Sequence, residues 1–423
     1  MMSGRSCFPL LLLAAPLLLG AGPGDGGTSA PPACTPAPES ELRPEEIRVQ
    51  EALRRSPGDP MLLYDLAIVH ALRCDRPRTL AALKAVAAAP GGLDPGAFRG
   101  FAFLSGDPEF RAIVAGIRSA HPPILASQPG FVLRAPGLFP EGMAFDPRTR
   151  RVYAGSASGR RIVWTDASGA LRVLVPSKGG GLGFPAGMKV DPARDQLWVC
   201  SASSFGPGVV LSDATSGLLA FDLRDGHRVR AVTQTTAGFL NDLVVVPSSG
   251  EVLATNTSTG AVAVARPGAT TTEELLPAGS VPGANGIALD DRERFLFVAG
   301  GDGITRVDLR TRAFQRLERP PDVVDGSFDG LYFHRGTLVG VQNGVHPGRV
   351  VRLRLDATLG RIVGWEVLEA YAPWIETPTT GALDGDSLLY LANTQLRRWK
   401  PAGNGSTEGL VDVQVRRVAL GGP

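Results

Sequence analysis

The chain has 423 residues, enough for one large domain and a small one. Its formal net charge is +2 and its basic residues are scattered, which excludes a nucleic-acid stripe and any strongly charged partner. A charged fraction of 20% excludes a disordered body, and 53 glycines with 35 prolines set between apolar runs suit a turn-rich all-β fold.

Residues 8–21, FPLLLLAAPLLLGA, follow Arg5 and read as the core of a secretory signal, with cleavage expected between 21 and 30. The run is short for a spanning helix and holds Pro16, and no other segment is apolar long enough to cross a bilayer. An exported protein without a stable membrane span is therefore expected, periplasmic or extracellular. Residues 1–30 are assigned to the signal and the start of a linker, and 31–43 to the rest of that flexible, Pro-rich linker. Cys7 would leave with the signal. Cys34 and Cys74 are then available to pair in an oxidising compartment, although spacing alone leaves the pairing open. Cys200, in LWVC, reads as a buried strand residue.

A small helical module is predicted over 44–120. PEEIRVQEALRR carries acids in its first turn and bases in its last, and Asp59-Pro60 and Asp107-Pro108 open further helices. TLAALKAVAAA is closed by Pro90-Gly91-Gly92. Residues 61–89 resemble one tetratricopeptide repeat in the spacing of Tyr64, Ala67 and Ala82. One repeat cannot bury its faces alone, so the module is expected to lean on something, with a protein partner as one occupant. His70 is read as a packing residue.

From 130 to 423 the period is that of strands. GANGIALDDRERFLFV, from Gly283, reads as a hairpin. It recurs as PEGMAFDPRTRRVYAG from Pro140, PAGMKVDPARDQLWVC from Pro185, FLNDLVVVPSSGEVLAT from Phe239, FDGLYFHRGTLVGVQ from Phe328 and TTGALDGDSLLYLAN from Thr379. Aligned on one position these units hold Glu141, Ala186, Asn241, Asn285, Asp329 and Thr380, at steps of 45, 55, 44, 44 and 51 residues. That period, with a second strand pair after each hairpin, predicts a mainly β chain: a six-bladed β-propeller preceded by the helical module. The strand in VDVQVRRVAL, or that in FVLR at 131–134, is expected to complete a blade shared by the two ends.

The aligned residues carry the chemistry. Equivalent innermost-strand positions approach one axis, so Glu141, Asn241, Asn285 and Asp329 would bring two carboxylates and two amides into a narrow channel. Such a set is poorly solvated unless a cation sits within it. Hard oxygen donors without Cys or His in register favour calcium, with magnesium, manganese or zinc as alternatives. The four side chains bonding one another and water is the bland reading.

PEG at Glu141, LND at Asn241-Asp242, ANGIALD at Asn285 and DGL at Asp329, in this order and register, resemble the senescence marker protein, gluconolactonase and luciferin-regenerating enzyme family over about residues 130–410. The resemblance implies a six-bladed propeller with a divalent cation in its channel, held by Glu141, Asn285 and Asp329, with Asn241 a further ligand nearer the substrate. It implies a small-molecule substrate of the lactone or ester type. Asp329 or Asp242 is the candidate proton acceptor, and Asp242 equally reads as a group that orients Asn241. Sugar-lactone members carry an Arg two residues before the first Asn. Here that residue is Phe239, which points to a less polar substrate in contact with Phe239 and Asn241. The channel His of the related paraoxonases has no aligned counterpart; His346, in QNGVHPG, stands in a loop, either at the channel mouth or exposed. Asn256, Asn343 and Asn393 are read as turn residues. GGGLG at 179–183 lacks the strand-then-helix setting of a phosphate loop.

The leading expectation is an exported metal-dependent hydrolase of lactones or esters. A non-catalytic binding propeller with a structural cation is the rival, and a strictosidine-synthase-like condensing enzyme a third option.

Overall fold

The computed structural model describes residues 32–204, 210–400 and 408–421; the expected signal lies outside them. Among the described residues no helix is long and apolar enough to cross a membrane.

Six four-stranded antiparallel sheets form the blades of a propeller. The innermost strands are Met143–Asp146, Phe184–Asp191, Leu240–Val245, Ile287–Leu289, Phe328–His334 and Gly381–Leu383, in blades one to six. Second and third strands such as Val252–Asn256 and Ala261–Ala265 are buried along their whole length, because each blade is packed between two others. That is why VLATN and AVAVA read as continuous runs instead of alternating ones. The hairpin turns are held by short side chains: Asp146 accepts the Arg148 N–H at 3.0 Å and Asp290 the Arg294 N–H at 2.7 Å.

Both candidate closing strands are used. Gln128–Leu133 pairs with Val413–Ala419, which pairs with Ser387–Leu391, so blade six takes its outer strand from the start of the propeller and its other three from the end.

Among the described residues, four α-helices precede the propeller: α1 (Glu39–Arg55), α2 (Pro60–Leu72), α3 (Arg76–Ala88) and α4 (Pro108–Ala120). Asp59, Asp75 and Asp107 cap the last three through backbone N–H groups, each with a proline at the helix start. The module differs from expectation at its beginning. Helix α1 starts at Glu39 and runs through Pro44, because Arg73 at the end of α2 holds Glu39 at 2.7 Å and Glu46 at 2.7 Å. Residues 34–43 are therefore no free linker: the Ala37 N–H reaches the Leu72 carbonyl at 2.8 Å, and Cys34 and Cys74 form a disulfide. The bridge closes a sequence separation of 40 residues, so Cys34→Ser with Cys74→Ser is expected to cost the module about 2–4 kcal/mol in urea unfolding. Helices α2 and α3 pack together, but a single helix pair does not establish a tetratricopeptide repeat.

The module leans on the propeller. Val324 and Val345, from the two loops flanking the inner strand pair of blade five, are buried in its core beside Met61, Tyr64 and Phe98. The Arg349 guanidinium donates to the Gly91 carbonyl at 2.6 Å, and the Asp94 N–H to the His346 carbonyl at 2.7 Å. His346 is thus a buried seam residue, not an exposed loop one. Burial, reinforced by Arg397 and opposed by Asp94, pushes its imidazole down to about 4. A depressed histidine stays neutral in the fold while the unfolded chain takes a proton. Stability is therefore whole above about pH 6.5 and is lost as pH falls toward 4, by at most about 3 kcal/mol. His346→Phe should remove that part of the acid slope in unfolding curves recorded between these pH values.

Candidate functional site

Strand connectivity fixes which loops share an end. The loop entering each inner strand and the loop between second and third strands lie at one end of the propeller. The module packs on this end, against the loops of blade five and the loop leading to blade six, and the aligned residues lie at the same end of the inner strands.

Glu141, Asn241, Asp329 and Thr380 are buried and Asn285 is half-buried. Asn285 donates its amide N–H to Asp329 Oδ1 at 3.0 Å, joining blades four and five directly. Asn343 donates to Asp329 Oδ2. Asn241 donates to Thr257 Oγ1 at 3.0 Å, and Thr257 to the Ala284 carbonyl at 2.6 Å, which ties blade three to blade four. Thr380 donates to the Glu141 carbonyl at 2.9 Å and accepts the Met143 N–H at 3.1 Å, so it closes blade six onto blade one.

With the amide nitrogens so used, three oxygens are left. Glu141 Oε2, Asn241 Oδ1 and Asn285 Oδ1 are buried with no hydrogen-bond partner. Orphaned buried acceptors are costly, and hard oxygens from three blades, beside a fourth residue whose carboxylate is held in place, are a donor set that suits calcium or a similar ion. The Glu141 carboxyl is pushed well above the usual range by burial and then by Asp329 and Asp242, with Lys189 opposing. Burial likewise raises Asp329, against the hydrogen bonds from Asn285 and Asn343.

One residue further along each inner strand stand Gly142, Gly187, Asp242, Gly286, Gly330 and Gly381. A Cβ on Gly142 would lie 2.0 Å from the Ala186 carbonyl oxygen, and one on Gly187 would lie 2.6 Å from Asp242 Oδ1. Five glycines thus let the strands close around the axis, and Asp242 occupies the room. Its carboxylate accepts the Leu243 N–H at 2.9 Å and the Ile287 N–H at 3.4 Å. These contacts tie the Asp242 carboxylate to the inner strands of blades three and four. On blades opposite each other, the Lys189 ammonium lies 4.8 Å from the centroid of the Tyr332 ring, two positions beyond this layer.

Two residues before the aligned position, blades one to three each carry phenylalanine: Phe139, Phe184 and Phe239. Trp399, from the blade-six loop between Leu391 and Val413, stacks on Phe184 at 5.7 Å, and Phe184 meets Phe239 at 5.9 Å. Blade six does not adjoin blade two or three, so the described part of this loop, up to 400, reaches across to them and lays Leu396 and Trp399 on the apolar cluster of Phe139 and Phe184. Sequence reading found Phe239 but missed Phe139 and Phe184, although their shared offset marks them. It also missed Asn343, read as a turn residue; only the fold shows that it reaches Asp329. Asn256 and Asn393 do bond loop backbone, Asn393 to the Asp412 carbonyl at 3.0 Å.

Elsewhere, Asp222, Asp225 and His227 form the one triplet of carboxylate and imidazole groups, among the described residues, close enough to share an ion. It is an outer turn in which Asp222 already pairs with Arg224 at 3.0 Å and His227 with Asp225 at 2.6 Å. A cavity of about 230 Å³ between blades one and two is lined by Asp146, Arg148 and Asp195, which also pair among themselves.

No protein-family model matches the sequence, and no curated protein matches it significantly. Solved structures that this chain is similar to include a gluconolactonase from Xanthomonas campestris, at 16% identity and TM-score 0.48, covering 70% of this chain and 96% of that one. A calcium-binding regucalcin from Agrobacterium tumefaciens gives the same four figures: 16%, 0.48, 70% and 96%. A luciferin-regenerating enzyme stands at 14% identity and TM-score 0.48, again over 70% of this chain and 96% of that one.

Proposed function

We propose that this protein is an exported hydrolase of lactones or esters that works with a divalent cation, most readily calcium, in the propeller channel. The observation that carries the reading is the set of three buried, unpartnered oxygens on Glu141, Asn241 and Asn285, beside a fixed Asp329. A bound divalent ion supplies Lewis acidity toward a carbonyl oxygen. The protein's own residues do the rest. Phe139, Phe184, Phe239 and Trp399 hold the apolar part of the substrate and keep bulk water away. Asp329, raised by burial, takes a proton from the water that adds to the acyl carbon; the acyl C–O bond breaks and the proton passes to the leaving oxygen. Asp242 and its backbone partners keep Asn241 in place. The disulfide supports export, since such bonds persist in oxidising compartments.

The test is to purify the mature protein, measure its bound metal, and assay lactones and aryl esters with and without chelator. Turnover that chelation abolishes and calcium restores supports the reading. Bound metal with no turnover on any substrate favours a binding propeller with a structural cation, a reading that the loop and module packed at the same end of the propeller also support.

A further inference from the structure

The blade-six loop that carries Trp399 lies beside the loop that enters the inner strand of blade six, where the Glu376 N–H donates to the Ala392 carbonyl at 2.9 Å. Arg397, on the same blade-six loop as Trp399, is half-buried and, among the described residues, has no hydrogen-bond or ion-pair partner. Burial lowers its pKa, Glu376 opposes this, and Arg99 from the helical module adds like-charge repulsion. Arg99 is exposed and, among the described residues, has no hydrogen-bond or ion-pair partner either. Facing them is Glu376, on the loop that enters the inner strand of blade six, with Oε1 bonded to Thr377 at 3.1 Å and Oε2 buried without a partner. His346, the other ionisable group near Arg397, is held neutral by burial. Two free guanidiniums thus stand against one carboxylate. An unpaired, partly desolvated guanidinium is costly to keep, and its five N–H groups match a carboxylate's two oxygens.

We infer that Arg397, with Arg99 beside it, forms a subsite for a carboxylate on the substrate, so that the molecule taken by the channel is an acidic lactone or ester: an apolar part against Phe184, Phe239 and Trp399, an acid group on Arg397. The module then contributes to substrate choice through Arg99. The inference rests on the hydrolase reading for its kinetic arm and on binding alone for its other arm.

The full mature chain with calcium is assayed on two lactones of one ring size, γ-butyrolactone bearing a γ-carboxylate and the neutral γ-valerolactone. Binding of 2-hydroxyglutarate, the opened form of the first, is followed by calorimetry. The intact protein should bind 2-hydroxyglutarate, more weakly as salt rises. Arg397→Met should weaken that binding, and lower the acid-to-neutral ratio of kcat/KM, by about tenfold or more. Arg99→Met should act in the same direction but less, and Arg397→Lys should recover part of the loss. Melting curves confirm that each variant folds. No binding of 2-hydroxyglutarate to the intact protein, or equal binding and an equal ratio in Arg397→Met, overturns the subsite. Arg397-dependent binding with no turnover of either lactone would keep the subsite and remove the hydrolase. Turnover of both without any Arg397 effect would do the reverse.

Discussion

Asp329→Ala is expected to lower calcium affinity and lactone turnover together, each by on the order of 10²-fold or more. The substitution takes away one of the two carboxylates among the four aligned oxygen-bearing residues and frees the amides of Asn285 and Asn343, which now donate to it. Asn285 would then be free to turn its oxygen away. Calcium titration by calorimetry and turnover on the most active lactone measure the two effects; an Asp329→Ala protein that keeps both would sink the site. Asp329→Asn separates binding from folding. Burial pushes the Asp329 carboxyl up to about 6, above an unfolded value near 4. A raised carboxyl binds its proton more tightly in the fold, so its stabilising share is whole below about pH 4 and is lost as pH rises through about 6. Without metal, Asp329→Asn should flatten this slope while still losing calcium affinity. With calcium, the native protein should lose the slope as well, since the ion takes the place of the proton.

Arg319→Met is expected to cost about 3–5 kcal/mol, read as a lower urea midpoint. Arg319 lies in the loop that enters blade five and bridges the module to the propeller. It donates to Asp59, the cap of α2. Its Nε lies 2.6 Å from Asp325 Oδ1, off the N–H direction, so that contact is coulombic and not an aligned hydrogen bond. Asp325 is wholly buried, with its carboxyl raised by burial and restrained by Arg319 and Arg316. Removing the guanidinium takes the ion-pair partner from Asp59 and leaves Asp325 only the longer contact to Arg316 at 3.7 Å, and an under-compensated buried charge costs more than the pair contributed. Adding Asp325→Asn should therefore recover part of the loss. If Arg319→Met melts like the parent, the seam does not depend on this pair.

What was legible in the sequence was whatever repeats. Six hairpins in one register marked the blades, the shared axis and the four oxygen-bearing residues, because a propeller uses the same local rule six times. Contacts made once were not legible. Asn343 meets Asp329, Trp399 meets Phe184, and Arg73 draws Glu39 into a helix across Pro44, all through space that no spacing encodes. The docked module belongs to the same class: Val324 and Val345 look like ordinary loop residues until the helices that cover them are in place.

Among the described residues the strand Gln128–Leu133 pairs with Val413–Ala419 alone. During synthesis at about 5–20 residues per second, it must wait on the order of 15–60 s for that partner to be made. Throughout that interval the growing barrel of blades keeps an open seam with unpaired backbone on both lips. A chain cut short before Val413–Ala419 should thus yield a sticky, protease-sensitive product even though most of the blades are already complete.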